Sequence, residues 1–368
     1  MGRGILSKLA AVTILIVTLL PDPPPDVIVW WDGRGDGSFG DVIGAGVDAA
    51  RESNPDLVIV ERFEHSSRVE EIEKQVSLGT PLVILEWAEF GFTQEMVVDN
   101  PETEFVFIDC TEDLYFWFED GGIPPNMSCI FSANAEMGFL AGAAAAMASD
   151  TGTVGFVGGA DIQVIWQFQT GFEQGVAYVD SSVDIVSVYL SGWNGLRFDQ
   201  SGFASPTMAE AAARHLHALG ADVVFAPAGL SVWGAIDWAA KIARDEGANV
   251  WSIGVDSDQW VEAPVFGENS GMDVDEIELV QSRILTSVVK RLDVGIEASI
   301  STFFETGEVN DLVLTVQNEG VGYTTSGGHL TPWTDRMDDA LNAIMKGEVI
   351  VANDRETDVA YFFDELLP

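Results

Sequence analysis

The fold is constrained most strongly by short apolar runs that alternate with segments of helical periodicity. In the first half of the chain these runs are rich in Val, Ile and Phe, and they lie at 26–31, 56–63, 81–87 and 104–110. Continuous β-branched runs of about four to eight residues, alternating with helices, are typical of parallel strands covered on both faces. This half of the chain is therefore predicted to be α/β, with a doubly wound parallel sheet.

The same pattern begins again in the second half of the chain. Its runs lie at 152–159, 183–190, 221–229 and 249–259. Two such series within 368 residues predict two lobes, each built on its own sheet. The first lobe is predicted to comprise 26–132 plus about 260–312, and the second 133–259 plus about 313–368.

The segments that follow the second series are predicted to cross back between the lobes. The stretch 264–277 is polar and contains Gly, which is typical of a surface loop. Residues 279–292 are predicted to form a helix, and 311–317 to form a further strand.

The charge balance excludes one class of partner. The chain has 17 Lys and Arg against 59 Asp and Glu, a formal net charge of −42. Nucleic-acid binding depends on basic side chains that displace counterions from phosphates, so no nucleic-acid partner is expected, and the same field disfavours anionic ligands. Adaptation to salty surroundings, where ions screen self-repulsion, accounts for such a charge, and a specific cationic partner is the alternative.

The N-terminal residues indicate the compartment. Arg3 and Lys8 lie at the head of an apolar run, 9–20, that a proline-rich stretch ends. A basic head, a short apolar run and a polar break are typical of a secretory signal, and the run is too short to span a bilayer comfortably. No small-residue cleavage site is clear, so a retained anchor with a stiff spacer is the alternative. Residues 1–25 are thus predicted to be a signal or anchor, and the rest extracytoplasmic, in the periplasm or on the outer face of the membrane.

Signatures of catalysis and of metal binding are absent from the sequence. There is no Gly-x-Ser-x-Gly elbow, no P-loop and no Cys/His spacing of the metal-binding kind, so neither an enzyme nor a metal or cofactor site is expected. A nucleoside hydrolase is the enzymatic alternative, because carboxylates cluster in the turn at 32–41. Cys110 and Cys129 form either a disulfide or two buried thiols, and the sequence favours neither.

Aromatic residues stand beside carboxylates where predicted strands end. Asp32 and Phe39 follow the first strand, Trp193 and Phe198 follow a later one, and Asp256 ends another. Ligands of doubly wound folds bind beyond the carboxyl ends of the strands. An aromatic ring can stack on a planar ring, and a carboxylate can accept hydrogen bonds from a sugar diol. The combination predicts a site for a planar base joined to a sugar, and lobe packing by these aromatics is the alternative.

Several segments resemble one family, the basic membrane protein (Bmp) family of purine-nucleoside-binding proteins of ABC transporters. They are DGRGDGSF (32–39), EFVFIDC (104–110), SANAEMGFLAGAAAA (132–146), VGFVGG with FQTGFEQGV (154–176), GADVVFAPAGLSVWG (220–234), IGVDSDQ (253–259) and ILTSVVKRLD (284–293). The resemblance covers nearly the whole chain after the spacer. It implies the type I periplasmic-binding-protein fold, a ligand cleft between two lobes, a monomer, and an ABC permease as the partner in the membrane.

The resemblance also implies roles on the base side of the ligand. Phe39 would stack on one face of a purine-like ring, and Trp193 or Phe198 would cover the other face. Asp109 would read the edge of the base, and Asp32 would lie near the cleft.

On the sugar side, the resemblance implies that Asp256 accepts the ribose hydroxyls. Lys290 would donate to the sugar and offset the charge of Asp256. Ser38 and the backbone at Gly229 would line the same side. Where the family has Asn after its Ser-Phe pair, this chain has Gly40, so another planar ligand such as riboflavin is an alternative. A sensory ectodomain for the same ligand class is a second alternative to transport.

Overall fold

In the part of the chain that the structure describes, two six-stranded sheets, each flanked by helices, form two lobes. This computed structural model describes residues 23–63, 68–86, 90–111, 122–192 and 200–353. The first sheet contains β1 (Val27–Trp30), β2 (Ile59–Arg62), β3 (Leu82–Glu86), β4 (Glu104–Cys110), β5 (Met127–Ser132) and β11 (Leu312–Leu314). The second contains β6 (Thr153–Gly158), β7 (Asp184–Tyr189), β8 (Val223–Phe225), β9 (Trp251–Asp256), β10 (Ile284–Lys290) and β12 (Val321–Tyr323). The prediction of two α/β lobes, each with its own sheet, is confirmed.

As far as Glu246, helices follow the strands as the periodicity predicts, whereas the helices after that residue were not predicted with these bounds. The helices of the described ranges are α1 (Phe39–Ser53), α2 (Arg68–Ser77), α3 (Phe90–Asp99), α4 (Asn134–Ala148), α5 (Gln163–Val179), α6 (Pro206–Ala218), α7 (Val232–Glu246), α8 (Gln259–Ser270), α9 (Val274–Gln281), α10 (Leu292–Thr306) and α11 (Thr334–Met345). Among these residues no helix combines the length and the apolar character that crossing a bilayer requires. The predicted signal or anchor segment lies outside the described residues, apart from 23–25.

Both sheets have the same strand order. It is β11-β5-β4-β3-β1-β2 in the first and β12-β10-β9-β8-β6-β7 in the second. Among the strands of the described residues, β12 alone runs antiparallel, to β10, and the central strands are parallel. In each sheet the direction of winding reverses beside the first strand, between β1 and β3 and between β6 and β8. Open α/β sheets bind ligands at this switch point, outside the carboxyl ends of the strands.

Small residues explain the close packing of α4 on α5. Gly138 and Gly142 of α4 and Gly171 and Gly175 of α5 lie where the two backbones meet. A Cβ atom at Gly171 would lie 2.0 Å from the carbonyl oxygen of Ala135, which is far inside van der Waals contact. The small-residue run of α4 is therefore required for this helix pair, which supports the second sheet.

The prediction of a helix over 279–292 was wrong. A helix, α9, ends at Gln281, and residues 284–290 form the buried strand β10 beside β9. Apolar residues recur here at every fourth position, at Val280, Ile284, Val288 and Leu292. This is the spacing of a helical face, and it explains why the segment was predicted to be a helix. The β-branched residues of this segment are instead buried on both faces of the sheet, where they pack well.

The prediction of a surface loop over 264–277 was also wrong, because α8 and α9 occupy most of it. Asp258 caps α8 by accepting a hydrogen bond from the Trp260 N–H, and Asp273 forms a capping box with Glu276 at the start of α9. The polar residues of the stretch therefore begin helices instead of forming a loop.

The lobe boundaries need a correction in the last third of the chain. Residues 284–290, assigned above to the first lobe, belong to the second sheet as β10, while β11 at 312–314 completes the first sheet. Within the described ranges the chain crosses between the sheets after β5, after β10 and after β11. The Ala133 N–H donates to the Leu314 carbonyl at 2.8 Å, which joins two of these crossings. Lys290 is the last residue of β10, so it lies beside a crossing.

The two cysteines are joined. Cys110 at the end of β4 and Cys129 in β5 form a disulfide, with their Cα atoms 6.0 Å apart. Both are buried in an apolar cluster on one face of the first sheet. Of the two alternatives that the sequence left open, the structure has the disulfide and not two free thiols.

Candidate functional site

The turn between β1 and α1 is held by its own carboxylates. Asp36 accepts hydrogen bonds from the N–H groups of Ser38, Gly40 and Asp41 at 2.9, 2.9 and 3.1 Å. Burial raises the pKa of Asp36 to about 6, although these N–H groups favour the charged form. The turn therefore has a fixed shape, and it places Ser38 and Phe39 at the carboxyl edge of the first sheet.

Two aspartates at strand ends have an unusual backbone. Asp109 in β4 and Asp256 at the end of β9 have φ values of 61° and 67°. Few non-glycine residues adopt this left-handed region, although Asp and Asn tolerate it best, and such residues cluster at functional sites. Of the three non-glycine residues with positive φ in the described chain, two are thus at the facing edges of the two sheets.

Lys290 brings these two aspartates together. Its Nζ lies 2.9 and 3.0 Å from the carboxylate oxygens of Asp109 and 3.6 Å from Oδ1 of Asp256. The side chain of Lys290 is 1% exposed, against 13% for Asp109 and 9% for Asp256. One buried ammonium between two carboxylates leaves the cluster with a formal charge of −1 if both acids are ionised.

Burial and ion pairing compete at this cluster. Burial raises the pKa of the Asp256 carboxyl, and the Lys290 charge works to lower it. For Lys290, burial works to lower the pKa, but the carboxylates of Asp109 and Asp256 raise it above its ordinary value. The lysine is therefore a cation at neutral pH, and its charge offsets part of the cost of burying two acidic side chains beside it.

The cluster bridges the two lobes. Ser38 Oγ of the first lobe donates to Oδ2 of Asp256 in the second at 3.2 Å. Nearby, Trp233 Nε1 donates to the Asp36 carbonyl at 2.7 Å, and Ser257 Oγ donates to the Gly37 carbonyl at 2.8 Å. The carboxyl edges of the two sheets are thus in direct contact at this point.

Two aromatic rings flank the ammonium. The ring centroids of Phe39 and Phe168 lie 5.4 and 5.5 Å from Lys290 Nζ. Both distances are within the range of cation–π attraction. The site therefore combines apolar ring faces with charged hydrogen-bonding groups.

Five of the predicted site residues lie together, namely Ser38, Phe39, Asp109, Asp256 and Lys290. Gly229 lies just beyond β8 with a φ of 52°, beside Phe203. Asp32 directly follows the buried Trp31 and is exposed, with its backbone nitrogen 3.5 Å from Glu86 Oε1. Trp193 and Phe198 lie outside the described residues. The ligand roles of all nine remain predictions.

Sequence reasoning missed Phe168, Asp36 and Trp233. Phe168 begins the FQTGFEQGV stretch on α5, and its place on the helix after β6 was the one signal that could have found it. Asp36 could have been found from the Asp-x-Ser spacing ahead of a helix, which is typical of side-chain capping. Trp233 gave no such signal, because its role depends on the contact between lobes.

A family model described as ABC transporter substrate-binding protein PnrA-like matches residues 36–354. The chain is similar to basic membrane protein A1 of Borrelia garinii subsp. bavariensis, with 25% identity over 339 residues that cover 90% of each protein. It is also similar to basic membrane protein D of Borreliella burgdorferi, with 28% identity over 244 residues, 65% of this chain and 62% of that protein.

Solved structures resemble the whole fold. A solute-binding protein of an ABC transporter from Aeropyrum pernix K1 superposes with a TM-score of 0.69 at 21% identity, covering 90% of this chain and 94% of that one. One from Conexibacter woesei has a TM-score of 0.63 at 17% identity, covering 90% and 99%. At such identities the likeness supports the fold alone, and the predicted type I periplasmic-binding-protein fold is confirmed.

Proposed function

The chain belongs to the Bmp family of PnrA-like ABC transporter substrate-binding proteins, and we propose that its ligand is a purine nucleoside or a similar planar base joined to a sugar. The ligand is captured between the two lobes outside the cytoplasm and passed to an ABC permease in the membrane. The protein performs no covalent step.

One observation carries this proposal. Asp109 and Asp256, from opposite lobes, converge on the buried Lys290 beside the ring of Phe39. A carboxylate can accept from two neighbouring hydroxyl groups, an ammonium can donate to a hydroxyl oxygen, and an aromatic ring offers a face to a planar base. A nucleoside carries all three complementary features within one small molecule.

The charges of the cluster favour an uncharged ligand. With both acids ionised, its single cation faces two carboxylates, so a phosphate group would meet a site whose charge is net negative. Burying an anion beside a site with more carboxylate than ammonium charge is costly, because the low dielectric strengthens the repulsion. Nucleotides are therefore rejected and the corresponding nucleosides accepted.

Capture follows from the contacts that the ligand must replace. The Lys290–Asp109 pair and the Ser38–Asp256 hydrogen bond hold the sheet edges together. The lobes separate to admit the ligand, and its hydroxyl and ring N–H groups then take the places of these contacts at Asp256 and Asp109. Because the polar groups remain satisfied in both states, opening and closing exchange partners instead of leaving buried charges unpaired.

We expect the protein, freed of co-purified ligand and kept in high salt, to bind inosine, guanosine or adenosine in calorimetric titrations. Ribose, free hypoxanthine, inosine monophosphate and riboflavin complete the panel. Ribose and the monophosphate should bind at least about 100-fold more weakly than inosine, since each lacks a matched group or adds a repelled one. A protein that binds none of the nucleosides, or that binds ribose or riboflavin more tightly, would rule out the proposal.

Phe39→Ala is expected to weaken inosine binding by about tenfold, because a stacked aromatic contributes roughly 1–3 kcal/mol per base. The measurement is the same titration. Phe304→Ala is the matched control, because that ring is 37% exposed on α10 and has no place in the cluster. Equal affinity for the Phe39 variant and the parent would show that this ring does not contact the base.

A further inference from the structure

The disulfide lies next to a site residue and next to a break in strand pairing. Along β4 and β5, Phe107 pairs with Cys129 and Ile108 with Ile130, but Cys110 then pairs with Phe131. The register shifts between Ile108 and Cys110, so Asp109 is an extra residue, a β-bulge. This bulge contains the left-handed φ of 61° at Asp109.

The bulge decides which face of the sheet Cys110 occupies. In a regular strand alternate residues share a face, so Cys110 would join Val106 and Ile108. Instead, Cys110 lies with Phe107 and Cys129 in the cluster on the opposite face, and Ile108 lies in the other cluster. Cys110 can reach Cys129 only because Asp109 is inserted as an extra residue between Ile108 and Cys110.

The bulge and the disulfide each depend on the other. A β4 strand without the bulge would separate the two sulfur atoms onto different faces, so the closed disulfide excludes that register. It thereby holds Asp109 in a backbone conformation that costs free energy on its own. The same conformation presents both carboxylate oxygens of Asp109 to Lys290.

We propose that the Cys110–Cys129 disulfide is a positioning device for ligand capture: by locking the bulge, it presets the Asp109 carboxylate at the cleft. Cys110 and Cys129 are thus positioning residues that touch no ligand and act through Asp109. The effect on affinity rests on the proposed function, whereas the effect on the Asp109 backbone does not.

The test uses Cys110→Ala/Cys129→Ala in the full chain, with two readouts. The first is the dissociation constant for inosine, which should rise by about tenfold, because part of the binding free energy is then spent on ordering Asp109. The second needs no ligand: the backbone chemical shifts of Asp109, which should move from left-handed values towards extended ones.

Two controls separate positioning from general stability. Met127→Ala removes a buried side chain from β5 in the same cluster, so it should lower the melting temperature but change inosine affinity by less than about twofold. In an Asp109→Ala background, removal of the disulfide should change the affinity by less than about twofold, because the residue it positions is gone.

The outcomes are separable. If the parent does not bind nucleosides, the proposed function fails, and the chemical shifts alone decide on the positioning. Unchanged Asp109 shifts without the disulfide would overturn the inference. An equal loss of inosine affinity on removal of the disulfide in the parent and in the Asp109→Ala background would also overturn it.

Discussion

Asp256→Asn is expected to weaken inosine binding by several hundred-fold, while the melting temperature of the ligand-free protein changes little. In the proposed complex the Asp256 carboxylate accepts hydrogen bonds from two sugar hydroxyls, whereas an amide offers one acceptor and turns a donor towards the other hydroxyl. Loss of one partner in a buried, charged hydrogen-bonded pair costs roughly 3–4 kcal/mol. Titration calorimetry measures the loss, and thermal unfolding measures the stability.

The stability should survive for a structural reason. Lys290 keeps Asp109 as its nearer partner at 2.9 Å, and burial raises the pKa of Asp256, so the ionised form that asparagine replaces is less favourable than it is in water. Asparagine also tolerates the φ of 67° at this position better than alanine does. Asp258→Asn, two residues further at the N-cap of α8, is the control that should leave affinity unchanged. An Asp256→Asn variant whose dissociation constant for inosine lies within about tenfold of the parent value would disprove the sugar role of Asp256.

Lys290→Met is expected to destabilise the protein by about 3–5 kcal/mol, because it leaves two buried carboxylates without their cation. Denaturant unfolding at neutral pH measures this change. Lys241→Met is the matched control: Lys241 pairs with Glu210 at 2.8 Å, but the lysine is 33% exposed, so its loss should cost less than about 1 kcal/mol. Equal stability losses for the two variants would contradict the account.

The loss in the Lys290 variant should shrink as the pH falls. Burial raises the pKa of Asp256, and the lysine charge that lowers it is gone in this variant. The folded protein then binds a proton that the unfolded chain, with its ordinary carboxyl pKa, does not hold at the same pH. Stability is therefore recovered as the pH falls through the raised pKa, and is lost as the pH rises through it. A loss that grows on acidification would contradict this.

The sequence was sufficient for the architecture because the parallel strands are buried on both faces. Such strands appear as continuous apolar runs, and β1 with its four buried residues is the clearest case. The segment 284–290 failed because its apolar residues also satisfy a helical period. The segment forms a strand because it pairs with β9, and this pairing cannot be seen in the local sequence pattern.

The site was predictable where it lies at strand ends, and less so where it depends on contact between lobes. Asp109 lies one residue before the end of β4 and Asp256 ends β9, so topology alone places them at the carboxyl edges of the two sheets. The approach of Phe168 to Lys290 and the bond from Trp233 to the Asp36 carbonyl depend on how the lobes meet. The bulge at Asp109 was also hidden, because one extra residue in a strand leaves no mark on composition.

A crystal structure of the protein grown with saturating inosine tests the central claim most directly. We expect the nucleoside between the lobes, with its two ribose hydroxyls about 3 Å from the Asp256 carboxylate and its base against the Phe39 ring. Nucleoside bound anywhere else, or a cleft in which Lys290 and Asp109 remain paired with no nucleoside between the lobes, would contradict it.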